Sequence, residues 1–336
     1  DIDNDGLPDV FLSRQADGGR LYKNLGNFRF EDITLKSGIK SDEMWSTGVT
    51  FADVNNDGWL DIFICGFDSP NRLYINQKTS FKESAEEYGL NYKGASVVMS
   101  FSDFDLDGDL DAYLLTNRLE NTGATSKAKI IKNKNKSLQV HPDSRELGYF
   151  VRPPGRMPLL INAGQYDYLY RNDNGRFVDI TVESGIGKNP YYGLSSTWWD
   201  YNNDGWPDLY VANDYMGPDH LFRNEGLDTN GNIKFIDVIE EAVPYTPWFS
   251  MGSDYSDINN DGKIDHHDFK HMLMRYELIV FTGLLLTIVP MGNVLGYTNI
   301  DSDVFWALAG LCLTVEGIIE LYYEQKYWLK VKGEEE

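Results

Sequence analysis

The sequence predicts a mainly β chain, a partial β-propeller of about five four-stranded blades, followed by a C-terminal α-helical hairpin. Three observations predict it. A six-residue unit ending in Leu-Tyr-x-Asn recurs along the chain, short apolar runs bounded by Gly and Asn recur in step with it, and after residue 265 both patterns stop. Repeated units that cannot each bury their own apolar face are expected to stack on their neighbours.

The unit reads Gly-Arg-Leu-Tyr-Lys-Asn at 19–24, Asn-Arg-Leu-Tyr-Ile-Asn at 71–76, Asp-Tyr-Leu-Tyr-Arg-Asn at 167–172 and Asp-His-Leu-Phe-Arg-Asn at 219–224. Each copy is followed by an aromatic residue, Phe30, Phe81, Phe177 or Phe235, and the first three by a Ser-Gly-Ile-like turn at Ser37, Tyr88 and Ser184. Apolar runs such as Leu60-Asp-Ile-Phe-Ile and Leu209-Tyr-Val-Ala have the length and residue types of strands. Each unit is therefore expected to be a small antiparallel sheet, and radial stacking of such sheets leaves only short edges.

Between the copies lie aspartate-rich loops. In Asp1-Ile-Asp3-Asn-Asp5-Gly6-Leu-Pro-Asp9 the acidic residues alternate at positions 1, 3 and 5, a glycine at 6 permits a sharp turn, and a further Asp stands at 9. The frame recurs as Asp53, Asn55, Asp57, Gly58, Asp61; as Asp103, Asp105, Asp107, Gly108, Asp111; as Asp200, Asn202, Asp204, Gly205, Asp208; and as Asp257, Asn259, Asp261, Gly262, Asp265. Calcium takes six to eight oxygens, and a chain turning around it supplies them from such alternate positions. About four or five Ca²⁺ ions, structural rather than catalytic, are the expected cofactors. No Cys/His cluster accompanies the loops to suggest zinc.

The loops start at 1, 53, 103, 200 and 257, so one step of 97 residues stands out among steps of 50 to 57. That interval could hold a blade without a metal loop, but residues 118–165, rich in Lys, Asn, Pro and Gly, read as an insertion. Lys127, Lys129, Lys132, Lys134 and Lys136 within it read as a solvated loop.

With the loops, the Leu-Tyr-Arg-Asn and Asp-Ile-Thr-x-x-Ser-Gly-Ile units, Trp198-Trp-Asp-Tyr-Asn-Asn-Asp-Gly-Trp-Pro-Asp-Leu-Tyr-Val-Ala-Asn and Thr246-Pro-Trp-Phe-Ser-Met-Gly-Ser-Asp, the segment 1–265 resembles the FG-GAP or VCBS repeats of integrin-α-like propellers. Within that group it is similar to the bacterial and animal proteins related to cartilage acidic protein. The resemblance implies a calcium-stabilised propeller used in adhesion or ligand binding, exported from the cytoplasm, with a protein or glycan as its ligand. Family propellers commonly have seven blades, whereas this chain supplies about five units and opens inside a loop. A longer gene product, with a leader and further blades upstream, is expected.

The tail departs from the pattern. His266-His-Asp-Phe-Lys-His-Met reads as a helix, so the last loop also fits an EF-hand or dockerin-like frame over 257–275, with Asp257, Asn259, Asp261, Ile264 and Asp268 as ligands. His266, His267 and His271 read as solvated. Residues 278–297 carry no charge over 20 positions and 304–323 form a second apolar run, so 276–332 is expected to be a transmembrane hairpin, with a buried helical pair as the alternative. Gly292 and Gly296 would allow close helix packing, while Glu316 and Glu320 share one face. Lys270, Arg275, Lys326, Lys330 and Lys332 place both ends in the cytoplasm by the positive-inside rule, against the extracellular or periplasmic side that the resemblance implies.

Thirty Lys and Arg against 52 Asp and Glu, a net charge of −22, exclude nucleic acid as a natural partner. At 336 residues and 42% hydrophobic the chain can build a real core, and two cysteines, Cys65 and Cys312, make no disulfide framework. No nucleophile elbow or phosphate loop marks an enzyme. Trp198, Trp199, Trp206 and Trp248 would suit either a carbohydrate site or packing between blades. The function expected is thus a membrane-anchored, calcium-stabilised adhesion or ligand-binding module. The alternatives are an accessory subunit whose hairpin packs with partner helices of a membrane complex, and a propeller enzyme acting on carbohydrate.

Overall fold

The structure is a computed structural model that describes residues 1–15, 18–40, 43–119, 124–132, 137–151, 157–214, 217–243, 246 and 249–256. The chain divides into two compact units, Asp1–Tyr255 and Ser256–Glu336. Of the second, only Ser256 is among the described residues, so the fifth loop, the junction over 257–275 and the hairpin over 276–332 lie outside them. Among the described residues no helix is long and apolar enough to cross a membrane.

The first unit of the chain is mainly β, built of four successive antiparallel repeats. Repeat one has three strands, Val10–Arg14, Gly18–Asn24 and Phe30–Asp32. Repeat two has Trp45–Ala52, Asp61–Pro70, Arg72–Asn76 and Phe81–Glu83. Repeat three has Lys93–Ser102, Asp111–Thr116, Tyr168–Asn172 and Phe177–Asp179, and repeat four has Tyr192–Trp199, Asp208–Asp214, His220–Leu227 and Ile233–Asp237. Within each of the last three, every strand pairs with the next in space, and each aspartate loop joins the first strand to the second. Ala52 pairs with Asp61, Ser102 with Asp111 and Trp199 with Asp208, so the loop is closed at its ninth position by the first rung of the ladder.

The long step between loops now has a physical explanation. Tyr168–Asn172 pairs directly with Asp111–Thr116, through Tyr168 to Leu114, Leu169 to Tyr113 and Tyr170 to Ala112. The chain therefore leaves this sheet after its second strand, at Thr116, and rejoins it as the third strand at Tyr168. The intervening segment is not without strands: Ile130–Lys132 pairs with Leu138–Val140, and Gly148–Val151 with Leu159–Asn162. Weak apolar alternation hid these short hairpins, whose residues are mostly exposed or half-buried.

The second strand of each complete repeat is buried on both faces, which is why it reads as a continuous apolar run and not as an alternation. Alternate residues enter different cores. Ile62 and Ile64 pack with Leu21, Ile39 and Tyr74 between repeats one and two, whereas Phe63 and Cys65 pack with Met99, Leu114 and Phe177 between repeats two and three. Ala112 and Leu114 join that second core, while Tyr113 and Leu115 face a third core with Leu209, Val211 and Phe235. Three cores thus lie between four repeats, the arrangement expected of units that each cover their neighbour's face.

The recurring turn motifs act where repeats meet. In Asp-Ile-Thr, the Thr34 and Thr181 hydroxyls accept the N–H of Leu21 and Leu169 at 2.9 Å. In the turn that follows, the Ser37 and Ser184 carbonyls accept the N–H of Phe81 and Phe235 in the next repeat at 2.7 Å. The adjoining Gly38 and Gly185 have φ of 86° and 94°, and a Cβ at Gly185 would sit 2.7 Å from the Phe235 carbonyl. Glycine is needed both for the left-handed backbone and for the close approach.

Candidate metal loops

Each loop is a main-chain turn organised by its own carboxylates. The position-1 side chain accepts two N–H groups, from Asp5 and Gly6 to Asp1 at 3.0 and 2.8 Å, from Asp57 and Gly58 to Asp53 at 3.0 and 2.7 Å, from Asp107 and Gly108 to Asp103 at 3.1 Å each, and from Asp204 and Gly205 to Asp200 at 3.0 and 2.7 Å. The position-5 carboxylate accepts the N–H two residues on, at 2.9 Å in all four loops. The position-4 residues Asn4, Asn56, Leu106 and Asn203 and the glycines Gly6, Gly58, Gly108 and Gly205 all have positive φ. Asn and Gly populate that region at little cost; Leu106 does not.

Three of the position-9 residues are deeply buried, with Asp61 1% exposed and Asp111 and Asp208 0%. In all four loops one position-9 oxygen accepts the N–H of position 2, from Ile2 at 2.8 Å, Val54 at 3.0 Å, Phe104 at 3.2 Å and Tyr201 at 2.9 Å. The other accepts the N–H of the Asn that ends the Leu-Tyr-x-Asn unit, from Asn24 at 2.8 Å, Asn76 at 2.7 Å, Asn172 at 2.8 Å and Asn224 at 2.7 Å. Each carboxylate oxygen keeps a second lone pair.

Burial without a counter-ion disfavours the charged form. It pushes Asp61 up to about 6, Asp111 to about 8 and Asp208 to about 7, although two backbone N–H groups hold each carboxylate down. The other loop carboxylates add to the rise, and burial raises Asp105 as well. A divalent cation among these groups would reverse that balance.

Asp1, Asp3 and Asp9 can bring one oxygen each within 4.8 Å of one another, as can Asp103, Asp105 and Asp111. Asp3 Oδ1 and Asp105 Oδ1 are shut off from solvent without any hydrogen-bond partner, so these donor sets fit a hard, oxygen-seeking cation. In loop 1 the Lys23 ammonium bonds Asp3 and lies 3.1 Å from Asp5, a monovalent charge beside these carboxylates. In loops 2 and 4, Asn55 and Asn202 stand at position 3, where each accepts the N–H of Asp57 or Asp204, at 3.1 and 3.2 Å, and donates to the same residue's carboxylate. What recurs in these two loops is the hydrogen-bonded turn; the oxygens of Asp53, Asp57 and Asp61, and of Asp200, Asp204 and Asp208, do not gather within 4.8 Å as the triads of loops 1 and 3 do. Asp257, Asn259, Asp261, Asp265 and Asp268 lie outside the described residues.

Two sets of residues matter here that the loop spacing did not single out. The repeated unit reaches the loop through its last residue: Asn24, Asn76, Asn172 and Asn224 seat the position-9 carboxylates. The first residue of the unit has its own task. Asn71 accepts the Gly66 N–H at 2.9 Å, Asp167 the Thr116 N–H at 2.7 Å and Asp219 the Asn213 N–H at 2.7 Å, closing the turn between second and third strands. Their signal was the fixed register of these residues with the loops. The tryptophans are packing elements: Trp198 lies against Phe104 and Phe235 and donates to Ser100 at 3.0 Å, Trp199 stacks on Tyr255, and Trp206 covers Gly226; Trp248 lies outside the described residues.

Stacked antiparallel units carrying recurring aspartate loops define a repeat protein in which, from the second repeat on, each loop bridges the first two strands of its sheet. The chain belongs to the FG-GAP-like repeat family, which matches residues 1–64, 53–114, 155–211 and 200–266, together about two thirds of the sequence. Among curated proteins, cartilage acidic protein 1 of Mus musculus is 24% identical over 173 residues, 47% of this chain and 27% of that protein. The Xenopus tropicalis and Homo sapiens proteins of the same name are 25% and 23% identical over 49% and 47% of this chain. The chain spans about a quarter of the length of these relatives. Among solved structures, the V. cholerae biofilm matrix protein Bap1 is similar over 69% of this chain and 37% of that one, at 14% identity and a TM-score of 0.27.

Proposed function

We propose that this chain is part of a calcium-stabilised β-propeller that serves as an adhesion or ligand-binding module, with a protein or glycan as its ligand. The observation that carries the proposal is the recurrence of one loop geometry at four places, with the Asp3 and Asp105 oxygens left without a partner. The calcium ions are held by Asp1, Asp3, Asp5 and Asp9, by Asp53, Asn55, Asp57 and Asp61, by Asp103, Asp105, Asp107 and Asp111, and by Asp200, Asn202, Asp204 and Asp208. The ion supplies positive charge to buried carboxylates and so fixes the sheet ends; it performs no chemistry on a substrate. Open loops of this kind suit a compartment with abundant calcium, and the similarity to cartilage acidic protein 1 supports an extracellular setting.

Calcium bound only to the native state raises stability by mass action, about 2.7 kcal/mol per site at a free concentration 100 times Kd. The test is thermal unfolding of the full chain in excess calcium and in excess chelator. A clear fall in Tm on chelation, restored by calcium, is expected; superimposable curves would reject the proposal.

A further inference from the structure

The position-2 residue of loops 1 to 3 is held through both of the peptide groups that flank it. Its N–H is taken by the position-9 carboxylate of the same loop, while its carbonyl accepts the side-chain amide of the Asn in the following repeat. Asn76 Nδ2 donates to the Ile2 carbonyl at 2.7 Å, Asn172 Nδ2 to the Val54 carbonyl at 3.4 Å and Asn224 Nδ2 to the Phe104 carbonyl at 2.8 Å. The same amides also donate to position 8 of their own loops, at Leu60, Leu110 and Pro207, 3.1 to 3.2 Å away. Each of these Asn residues, 4% exposed or less, therefore touches the loop before it and the loop of its own repeat.

A second contact runs along the exposed rim. Asn4 Nδ2 donates to the Gly58 carbonyl at 3.2 Å, and Asn56 Nδ2 to the Gly108 carbonyl and Asp109, both at 2.9 Å. At the next step the donor is missing, because position 4 of loop 3 is Leu106. Loops 1 and 2, and loops 2 and 3, are doubly joined by asparagine amides, whereas loops 3 and 4 have only the Asn224 amide between them among the described residues.

We propose that these asparagines couple the loops, so that a calcium ion seated in one loop raises the calcium affinity of its neighbours. The inference rests on the calcium reading given above. An ion that draws a loop's carboxylates together fixes the position-2 residue through its N–H; with the residue fixed, its carbonyl, in the following peptide group, is oriented toward the next Asn, which in turn seats the next position-9 carboxylate. Ordering gained at one loop is then not needed again at the next, which is positive cooperativity.

The test is a double-mutant cycle on the full chain, read by calorimetric titration with calcium chloride. Asp204→Ala disables loop 4 by removing the position-5 oxygens. Coupling predicts that it also weakens binding at the remaining loops by about fivefold or more, although no ligand there is altered. In an Asn224→Ala background that additional weakening is expected to vanish. Leu106→Asn, at an exposed position whose positive φ suits Asn, is expected to enlarge it, and this variant decides the matter should Asn224→Ala not fold. If Asp204→Ala deletes one site and leaves the others at unchanged affinity, and Leu106→Asn does not change that, coupling is overturned while the calcium reading stands. No calcium binding by the unmutated chain would overturn both.

Discussion

At the scale of single residues, the position-9 aspartates do two jobs whose demands conflict. Asp61, Asp111 and Asp208 hold the loop shut through two N–H groups, yet burial raises them toward neutrality, to about 6, 8 and 7. The sign of the pH effect follows. Without calcium the folded state retains protons that the unfolded chain, with an ordinary carboxyl near 3.8, has released, so stability is lost as pH rises from about 4 to about 8. Calcium needs the ionised form and should displace protons on binding. The gain in Tm from calcium is therefore expected to be larger at pH 8 than at pH 6, measured in parallel unfolding scans; equal gains would contradict the assigned ligands. Asp167 is a separate case, since burial raises it to about 7 while three hydrogen bonds oppose that. Asn71 does the same work in repeat two, so Asp167→Asn should keep the turn closed and flatten the pH dependence between about 4 and about 7 that this residue contributes.

At the scale of the element, each loop depends on its glycine and its asparagine. Gly58 has φ of 84° with open space around a Cβ, so Gly58→Ala isolates backbone strain, about 1 to 2 kcal/mol. Asn172→Ala removes an amide bonded to two carbonyls and should cost about 1 to 3 kcal/mol in chemical denaturation. The spacing of carboxylates and glycine disclosed the loops, because a turn around a cation repeats the same residue types at the same places. It did not disclose the Leu-Tyr-x-Asn partners, since their bonds cross 15 to 61 residues within a repeat and as many as 120 between repeats. Nor did it reveal the hairpins over 130–162, whose short strands bury too little to impose an alternation.

At the scale of the molecule, stacking could be read from the repeat itself, but which repeats share hydrogen bonds could not. Repeats two and three form one eight-stranded sheet, because the second strand of repeat two runs past its hairpin and pairs Phe67 with Ala95 and Ser69 with Gly94. Among the described strands, no such ladder joins repeat one to two or three to four. Side chains and turn contacts bridge those boundaries. The array is thus not a row of equal links: it has a fused middle and two seams. Amide hydrogen exchange should show the ladders of repeats two and three opening as one cooperative block, with the slowest exchange in the chain, while repeat four opens on its own at lower free energy. Under tension, or during partial melting, the seams are where the protein would first come apart.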